Sequence, residues 1–519
     1  MNNTNYNTSP VGGKIKAGLG EDLRDKIKKE NPPLFRKICD SQETVSKELN
    51  NRIAQVKVGG KVRYIDRSDP AVVFYSDRDM AQVLAGMKVL TWKQEEVDAF
   101  KWWCSQADRS RFNGVVFEPS APKYRALVAA AEKREGYAPL NLYVKPSITA
   151  RAGSWDKFRA HLQDNICNGN VEHFNYLIKW MAFQFQRPGD KIGVAVVLQS
   201  KELGTGKSVV GEWLAKCLGE EYCPAVDTPE QITGKHNAHL QRALLVRAEE
   251  ALHARDPRHG SRLNHYITGG QILIEPKGVD AFLIQSKFNM LFSSNKALVV
   301  PAKDGERRYF ILTVAPHHAQ DRAYFAAIQK ERDNGGAEAF ILEMLQTKVG
   351  EFTTEAPPQS DALGRHIVEG MEGLDKWWLN VLREGRLPWR GEGRGFDPNG
   401  GADVLDWKAA SEGGVLRWRV PCAVVAQSAA DHAGTYTGPP SPETVGRYLA
   451  TALDEVTRGR ETSGERQRLY VLPDLDTARV AFIKRHVGLS LANVVGAVAD
   501  EFVAEAEATT VSNVYPFAA

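Results

Sequence analysis

Five consecutive residues, Gly204-Thr205-Gly206-Lys207-Ser208, combine the types that phosphate chemistry asks for. Two glycines let backbone N–H groups turn inward around an oxyanion with no Cβ in the way. Lys207 places a point charge among the terminal phosphates, and Ser208 offers a hydroxyl to Mg²⁺. Val209 continues into a helix whose positive dipole end faces the same anion. The usual spacing of such a loop puts one more glycine at position 201, where this chain has Lys201. Taken alone, the segment is either a nucleotide-binding loop with an altered opening turn or a strand–turn–helix that looks like one. The residues downstream decide between them.

Hydrolysis at such a loop needs a carboxylate for the metal's water shell and a base for the attacking water. "RALLVRAEEALHA" supplies a strand, Ala243–Val246, running into Glu249 and Glu250. Glu249 is assigned to the metal with Ser208, and Glu250 to the base. At the C-terminal end of a parallel strand both acids face the crevice where phosphates lie. A second strand, Phe288–Phe292, leads to Asn295, a polar group suited to the γ-phosphate or the lytic water. Arg307 and Arg308 follow a loop of Pro, Lys, Asp and Gly. An exposed arginine there can reach a neighbouring subunit's γ-phosphate and stabilise charge in the transition state. Arg307 is the first choice for that role and Arg308 the second. Each group in isolation has a plainer reading, as a solvated helix start, a surface amide or a solvated arginine.

The elements around these residues must hold them in place. Val194, Val196, Val197 and Leu198 form a buried strand before the loop, and Val210, Trp213, Leu214 and Cys217 give the following helix an apolar face. Residues 154–188 spell two helices, the second stopping at Pro188. Strands and helices alternate over 191–315, the pattern of a largely parallel sheet. The expected division is a disordered tail (1–30), a mixed α/β module (31–150), a helical collar-like segment (151–190) and the α/β core (191–345). A helical connector with a Gly-rich linker (346–404), a helix–turn–helix with a hairpin (405–487) and a C-terminal helix and tail (488–519) complete it. Trp102-Trp103 and Trp377-Trp378 are each expected to turn one ring into a core.

Bulk properties narrow the function. The 519 residues are 43% hydrophobic and 25% charged with a net charge of +3, so nucleic-acid binding must rest on local basic patches. Six scattered cysteines without a Cys-x-x-Cys pair argue against a zinc ribbon or disulfide framework and fit a reducing cytoplasm. His236-x-x-His239 lacks a third ligand set. No apolar run is long enough for a membrane span.

A strand with Gly-Thr-Gly-Lys-Ser, a strand with Glu-Glu, a strand ending in Asn and a loop with Arg-Arg stand in one order over 194–308. This arrangement resembles the superfamily three helicases, specifically the phage and poxvirus-type primase-helicase group of the AAA+ ATPases. "LNHYITGGQILIEPKGVDAFLIQSKFNMLFSSN" is similar to that family's hairpin segment, with strands Gln271–Glu275 and Val279–Ile284 around a Pro276-Lys277-Gly278 tip. Similarity extends over roughly 50–487 and is densest over 170–315, with Lys201 and Glu306 as departures. The resemblance implies an AAA+ P-loop ATPase core with a parallel sheet, an N-terminal mixed α/β-helical region and a C-terminal winged-helix-like domain. It implies ATP and Mg²⁺ as cofactors, a homo-hexamer and 3′ to 5′ translocation on single-stranded and forked DNA. Lys277 and Gly278 would grip the strand. Arg447, Arg466 and Arg468 of the C-terminal region are candidate duplex contacts. A primase active site is not expected, since Asp77 and Asp79 fall in a turn, so a separate primase, polymerase or loading protein is an expected partner. Two other readings stay open: an origin-binding replication initiator, and a nucleotide-gated AAA+ regulatory or defence ATPase without unwinding.

Overall fold

The computed structural model describes residues 20–69, 71–134, 136–250, 257–277, 280–296, 299–300, 305–352, 356–387, 407–408, 417–433, 439–453, 456–460, 468–486, 489 and 494. Of the sequence-derived features, residues 1–19 of the N-terminal tail, most of the Gly-rich linker, the C-terminal tail, Gly278 and Arg466 lie outside the described residues.

The N-terminal module opens with α1 (Gly20–Glu30) and α2 (Pro32–Arg52), the latter capped by Asn31 and started by two prolines. β1 (Ile53–Val58) and β2 (Lys61–Asp66) pair as an antiparallel hairpin. Tyr75 adds a single bridge to Tyr64 of β2. Ser76 caps α3 (Asp77–Val83), so Asp77 and Asp79 occupy a helix's first turn, where carboxylates answer the dipole. Short strands β3 (Lys88–Leu90) and β4 (Glu96–Asp98), α4 (Ala99–Ser105), β5 (Val115–Val116), α5 (Ala121–Lys133) and β6 (Leu140–Asn141) complete the module. Trp103 is buried with its indole N–H on Asn50, 2.8 Å away, while Trp102 is only partly covered.

α6 (Asp156–Ala160) passes directly into a π-helical turn, His161–Ile166, and α7 (Val171–Gln186) follows. Then come β7 (Ala195–Gln199), α8 (Lys207–Leu218), β8 (Ala225–Val226), α9 (Pro229–Thr233), β9 (Leu245–Glu249), α10 (Pro257–Thr268), β10 (Gln271–Ile274), β11 (Phe282–Gln285), β12 (Asn289–Ser294) and β13 (Tyr309–Thr313). Five of these strands form one wholly parallel sheet in the order β13-β7-β12-β9-β8. β10 and β11 stand apart as an antiparallel hairpin.

Period-two alternation divides the sheet's side chains between two cores. Val196, Leu198, Leu245, Leu291, Phe310 and Leu312 face α7, α8 and a later helix at Ala337–Gln346. Ala195, Val197, Val246, Phe292 and Ile311 face the opposite way. With both faces covered, the strands are near-continuous apolar runs.

After the sheet, α11 (Arg322–Glu331), α12 (Ala337–Gln346), α13 (Asp361–Gly370) and α14 (Gly373–Glu384) lead to β14 (Arg417–Pro421), α15 (Cys422–His432), α16 (Pro442–Ala452), β15 (Thr457–Arg460), β16 (Arg468–Pro473) and α17 (Leu475–Arg485). The last three strands form an antiparallel sheet in the order β14-β16-β15. Trp377 and Trp378 are both fully buried, against the expectation of one inward ring. α14 is enclosed on two sides: Trp377 donates to Ser428 of α15 at 3.1 Å, and Trp378 lies 5.7 Å from the Trp407 ring. No helix of the described residues is long and apolar enough to cross a membrane.

Candidate functional site

The 200–206 loop joins the C-terminal end of β7 to α8. Gly204 and Gly206 have φ of 70° and 85°, in the left-handed region that glycine enters at no steric cost. A Cβ on Gly206 would overlap the Phe325 ring and come within 2.6 Å of His161 Cε1. Lys201 is not among the positive-φ residues, so the opening turn makes no demand for the glycine that the usual spacing puts there.

Lys207 is 8% exposed, and its ammonium donates to Ser200 Oγ and Asn295 Oδ1, each at 2.6 Å. Burial lowers its pKa, opposed by the nearby carboxylates of Glu250 and Glu202. Ser200 also meets Thr205 Oγ1 at 3.0 Å. Glu250 sits just past β9 with φ of 54°, a conformation that costs a non-glycine residue about 1 kcal/mol or more. That bend carries its carboxylate back over the end of β12: Ser294 donates its hydroxyl at 3.0 Å and Asn295 its backbone N–H at 2.7 Å. The structure therefore brings Lys207, Asn295 and Glu250 into one polar network at the C-terminal end of the sheet. Glu249, still within β9 and in register with Ser293 of β12, and Ser208, on the first turn of α8, lie at the same end. Neither side chain has a hydrogen-bond partner among the described residues. As hard oxygen donors they suit Mg²⁺.

Three polar groups that sequence reasoning missed hold this loop from behind. His161 Nε2 donates to the Gly206 carbonyl at 3.2 Å, Asn165 Nδ2 to that of Thr205 at 2.8 Å and Gln320 N to that of Gly204 at 2.9 Å. The π-helical turn sets His161 and Asn165 at the same loop. Tyr324 hydroxyl lies 3.3 Å from His161 Nδ1, which accepts its proton once Nε2 carries the hydrogen. Burial pushes His161 down to about 4, so the ring is neutral near pH 7. With these carbonyls occupied, no N–H from 201 to 206 donates to an acceptor among the described residues. A run of such free N–H groups leading into a helix N-terminus is an anion cradle.

The arginine pair lies elsewhere. Arg308 directly precedes β13, and its carbonyl accepts from Ala195 N, at the N-terminal end of the sheet. The strand's length, about 13 Å, separates the pair from its own chain's loop. Arg308 is tied to Glu306 at 3.1 Å, whereas Arg307 is exposed with no such tie among the described residues.

Lys277 is exposed at the turn of the β10–β11 hairpin. The strands are Gln271–Ile274 and Phe282–Gln285, slightly offset from the spans expected. The hairpin leans on the N-terminal module: Asp280 pairs with Lys61 at 3.0 Å, and Phe282 meets Phe74 edge-on. Arg447 on α16 and Arg468 on β16 are both exposed. Among the described residues no three His, Cys, Asp or Glu cluster as a metal site.

Residues 198–308, from β7 to the arginine pair, match the model of a family of unknown function, DUF5906. No curated protein matches the chain. Among solved structures, an apo structure of the NrS-1 C-terminal region is similar with a TM-score of 0.58 and 17% identity, covering 83% of this chain and 99% of that one. An A-form apo structure of the same region has a TM-score of 0.58 and 19% identity, over 82% of this chain and 99% of that one. At these identities the likeness is one of fold.

Proposed function

We propose that the chain is a ring-forming, ATP- and Mg²⁺-dependent DNA helicase or translocase of the superfamily three type, working in phage or mobile-element DNA replication. The observation that carries this reading is the network of Lys207, Asn295 and Glu250 beside a loop whose carbonyls are tied back and whose N–H groups are left for an anion. Likeness of fold to the NrS-1 C-terminal region supports it.

In this reading the triphosphate lies in the 200–206 cradle, and Lys207 and the α8 N-terminus take up its negative charge. Ser208 and Glu249 would hold Mg²⁺, which supplies further charge neutralisation at the phosphates when bound. Glu250 accepts the proton of the attacking water, and Asn295, fixed by both Lys207 and Glu250, orients it. Arg307 of one subunit completes the pocket of the next. The β10–β11 hairpin presents Lys277 to the strand, and the C-terminal region is winged-helix-like.

A strand-displacement assay on tailed duplexes tests this. Unwinding that needs ATP and Mg²⁺ and vanishes in Lys207→Ala is expected. A second reading, an origin-binding initiator, draws on the exposed Arg447 and Arg468 of the C-terminal sheet and helices. Sequence-specific duplex retention without unwinding would favour it. Hydrolysis indifferent to DNA would favour a regulatory ATPase.

A further inference from the structure

A cleft of about 400 Å³ opens where the end of α7, residues 189–191 and the end of β11 meet. It lies at the N-terminal end of the sheet, away from the 200–206 loop. Four of its lining residues are cations: Lys123, Arg187, Lys191 and Lys287. Two are neutralised within the chain, Lys123 by Asp190 at 2.5 Å and Lys287 by Glu118 at 2.6 Å. The other two meet no carboxylate among the described residues. Arg187 rests 5.5 Å from the Phe183 ring. Lys191 donates to the carbonyls of Tyr266, at 2.6 Å, and Phe288, and its ammonium lies 4.2 Å from the Phe288 ring. Burial without a counter-ion pushes Lys191 down to about 7.

Ser286 also lines the cleft. It is 2% exposed, and its hydroxyl has no hydrogen-bond partner. Buried hydroxyls in folded proteins are ordinarily paired, so this one points to a group from outside. Gly189 borders the same space at φ of 80°, and a Cβ there would stand 3.1 Å from both Lys287 Cδ and Pro119 Cδ.

We propose that this cleft is a second anion site, taking a phosphate group on Arg187, Lys191 and Ser286. A guanidinium, an ammonium and a hydroxyl together match a tetrahedral oxyanion, which offers an oxygen to each. The Arg187 charge, joined by that of Lys191 as it takes up a proton, matches a phosphate's one or two negative ones. The phosphate can belong to a polynucleotide backbone or be free. Ser286 directly follows β11, at the root of the hairpin whose turn bears Lys277. The backbone source rests on the DNA-gripping reading of that hairpin; the site itself does not.

The test uses the full chain carrying Lys207→Ala, so that phosphate at the 200–206 loop does not confuse it. Inorganic phosphate is titrated by calorimetry, and a fluorescent single-stranded thymidine oligonucleotide by anisotropy. Arg187→Gln should weaken phosphate about tenfold and Ser286→Ala about threefold. Ser286→Ala removes one buried oxygen, so loss of folding cannot imitate its effect. An equal fall for the oligonucleotide assigns the site to the backbone, and a fall for phosphate alone assigns it to the free anion. Binding at pH 8 should also take up a proton, seen as a dependence of the heat on buffer. Lys191 is assigned that proton; the other charged groups around it are Lys123, Arg187, Lys287, Asp190 and Glu118. Phosphate affinity unchanged in both variants would overturn the proposal. Turnover is not read, so a failed ATPase assay leaves this result intact.

Discussion

At the C-terminal end of the central sheet, Lys207 is enclosed by Ser200 and Asn295 with Glu250 alongside, and Glu250 in turn accepts from Ser294 and Asn295. At the N-terminal end, Arg307 is exposed, and Arg187 and Lys191 are paired with no carboxylate among the described residues. The first end is organised before any ligand arrives, which is what orientation and charge stabilisation require. The second holds basic groups with no carboxylate partner among the described residues. Since β7 and β13 run parallel, the arginine pair and the 200–206 loop sit at opposite ends of adjacent strands. Two copies of the chain are needed to bring the ends together, so assembly and catalysis become one property in the proposed function.

The comparison breaks most severely at Lys207. Lys207→Ala should lower ATP turnover at least about a thousandfold and weaken nucleotide binding, measured by phosphate release and by equilibrium binding of a fluorescent nucleotide. At the opposite end, Arg307→Ala should cost on the order of a thousandfold in turnover while leaving nucleotide affinity near wild type. Arg308→Ala should cost less turnover but some stability, because it releases Glu306. Glu250→Gln should slow hydrolysis about a hundredfold with nucleotide affinity preserved, since the amide oxygen can still accept from Asn295 N–H and the amide NH2 can donate to Ser294 Oγ, but the group cannot serve as a base. A wild-type rate in that variant would move the base elsewhere.

Smaller effects sharpen the picture behind the loop. Asn165→Ala frees the Thr205 carbonyl and should raise KM about tenfold with a smaller change in kcat, seen in steady-state kinetics. His161 gives a pH signature. Its folded pKa of about 4 lies below the ordinary value near 6.5, so the unfolded chain binds the extra proton first as pH falls. Stability should therefore be intact above about pH 6.5 and decline toward pH 4, by up to about 3 kcal/mol. His161→Phe should flatten that decline in denaturant titrations at pH 7 and pH 5.

Much of this was legible in the sequence where local chemistry and spacing coincide. The strand before Gly204, the glycines and the apolar face of α8 announce a strand–loop–helix whatever the fold around it. Glu250 and Asn295 were legible as ends of apolar strands, though the left-handed bend that turns Glu250 toward Asn295 has no sequence mark. The clamp was not legible. A π-helical turn breaks the 3.6-residue period that a helix reading relies on, and His161 and Asn165, four apart among Phe158, Leu162 and Ile166, were its one visible sign. Both tryptophans of α14 turn inward for a similar reason: burial on two sides depends on α15 and Trp407, from distant sequence.

The measurement that bears most directly on the seam between copies is a mixture of Arg307→Ala and Glu250→Gln chains, each strongly impaired alone. An Arg307→Ala subunit keeps a sound loop and acids, and a Glu250→Gln subunit keeps the arginine, so a mixed interface unites the intact halves. Recovered ATP turnover is predicted, with roughly a quarter of interfaces intact on random assembly. A mixture no more active than either variant by itself would contradict catalysis shared between neighbours.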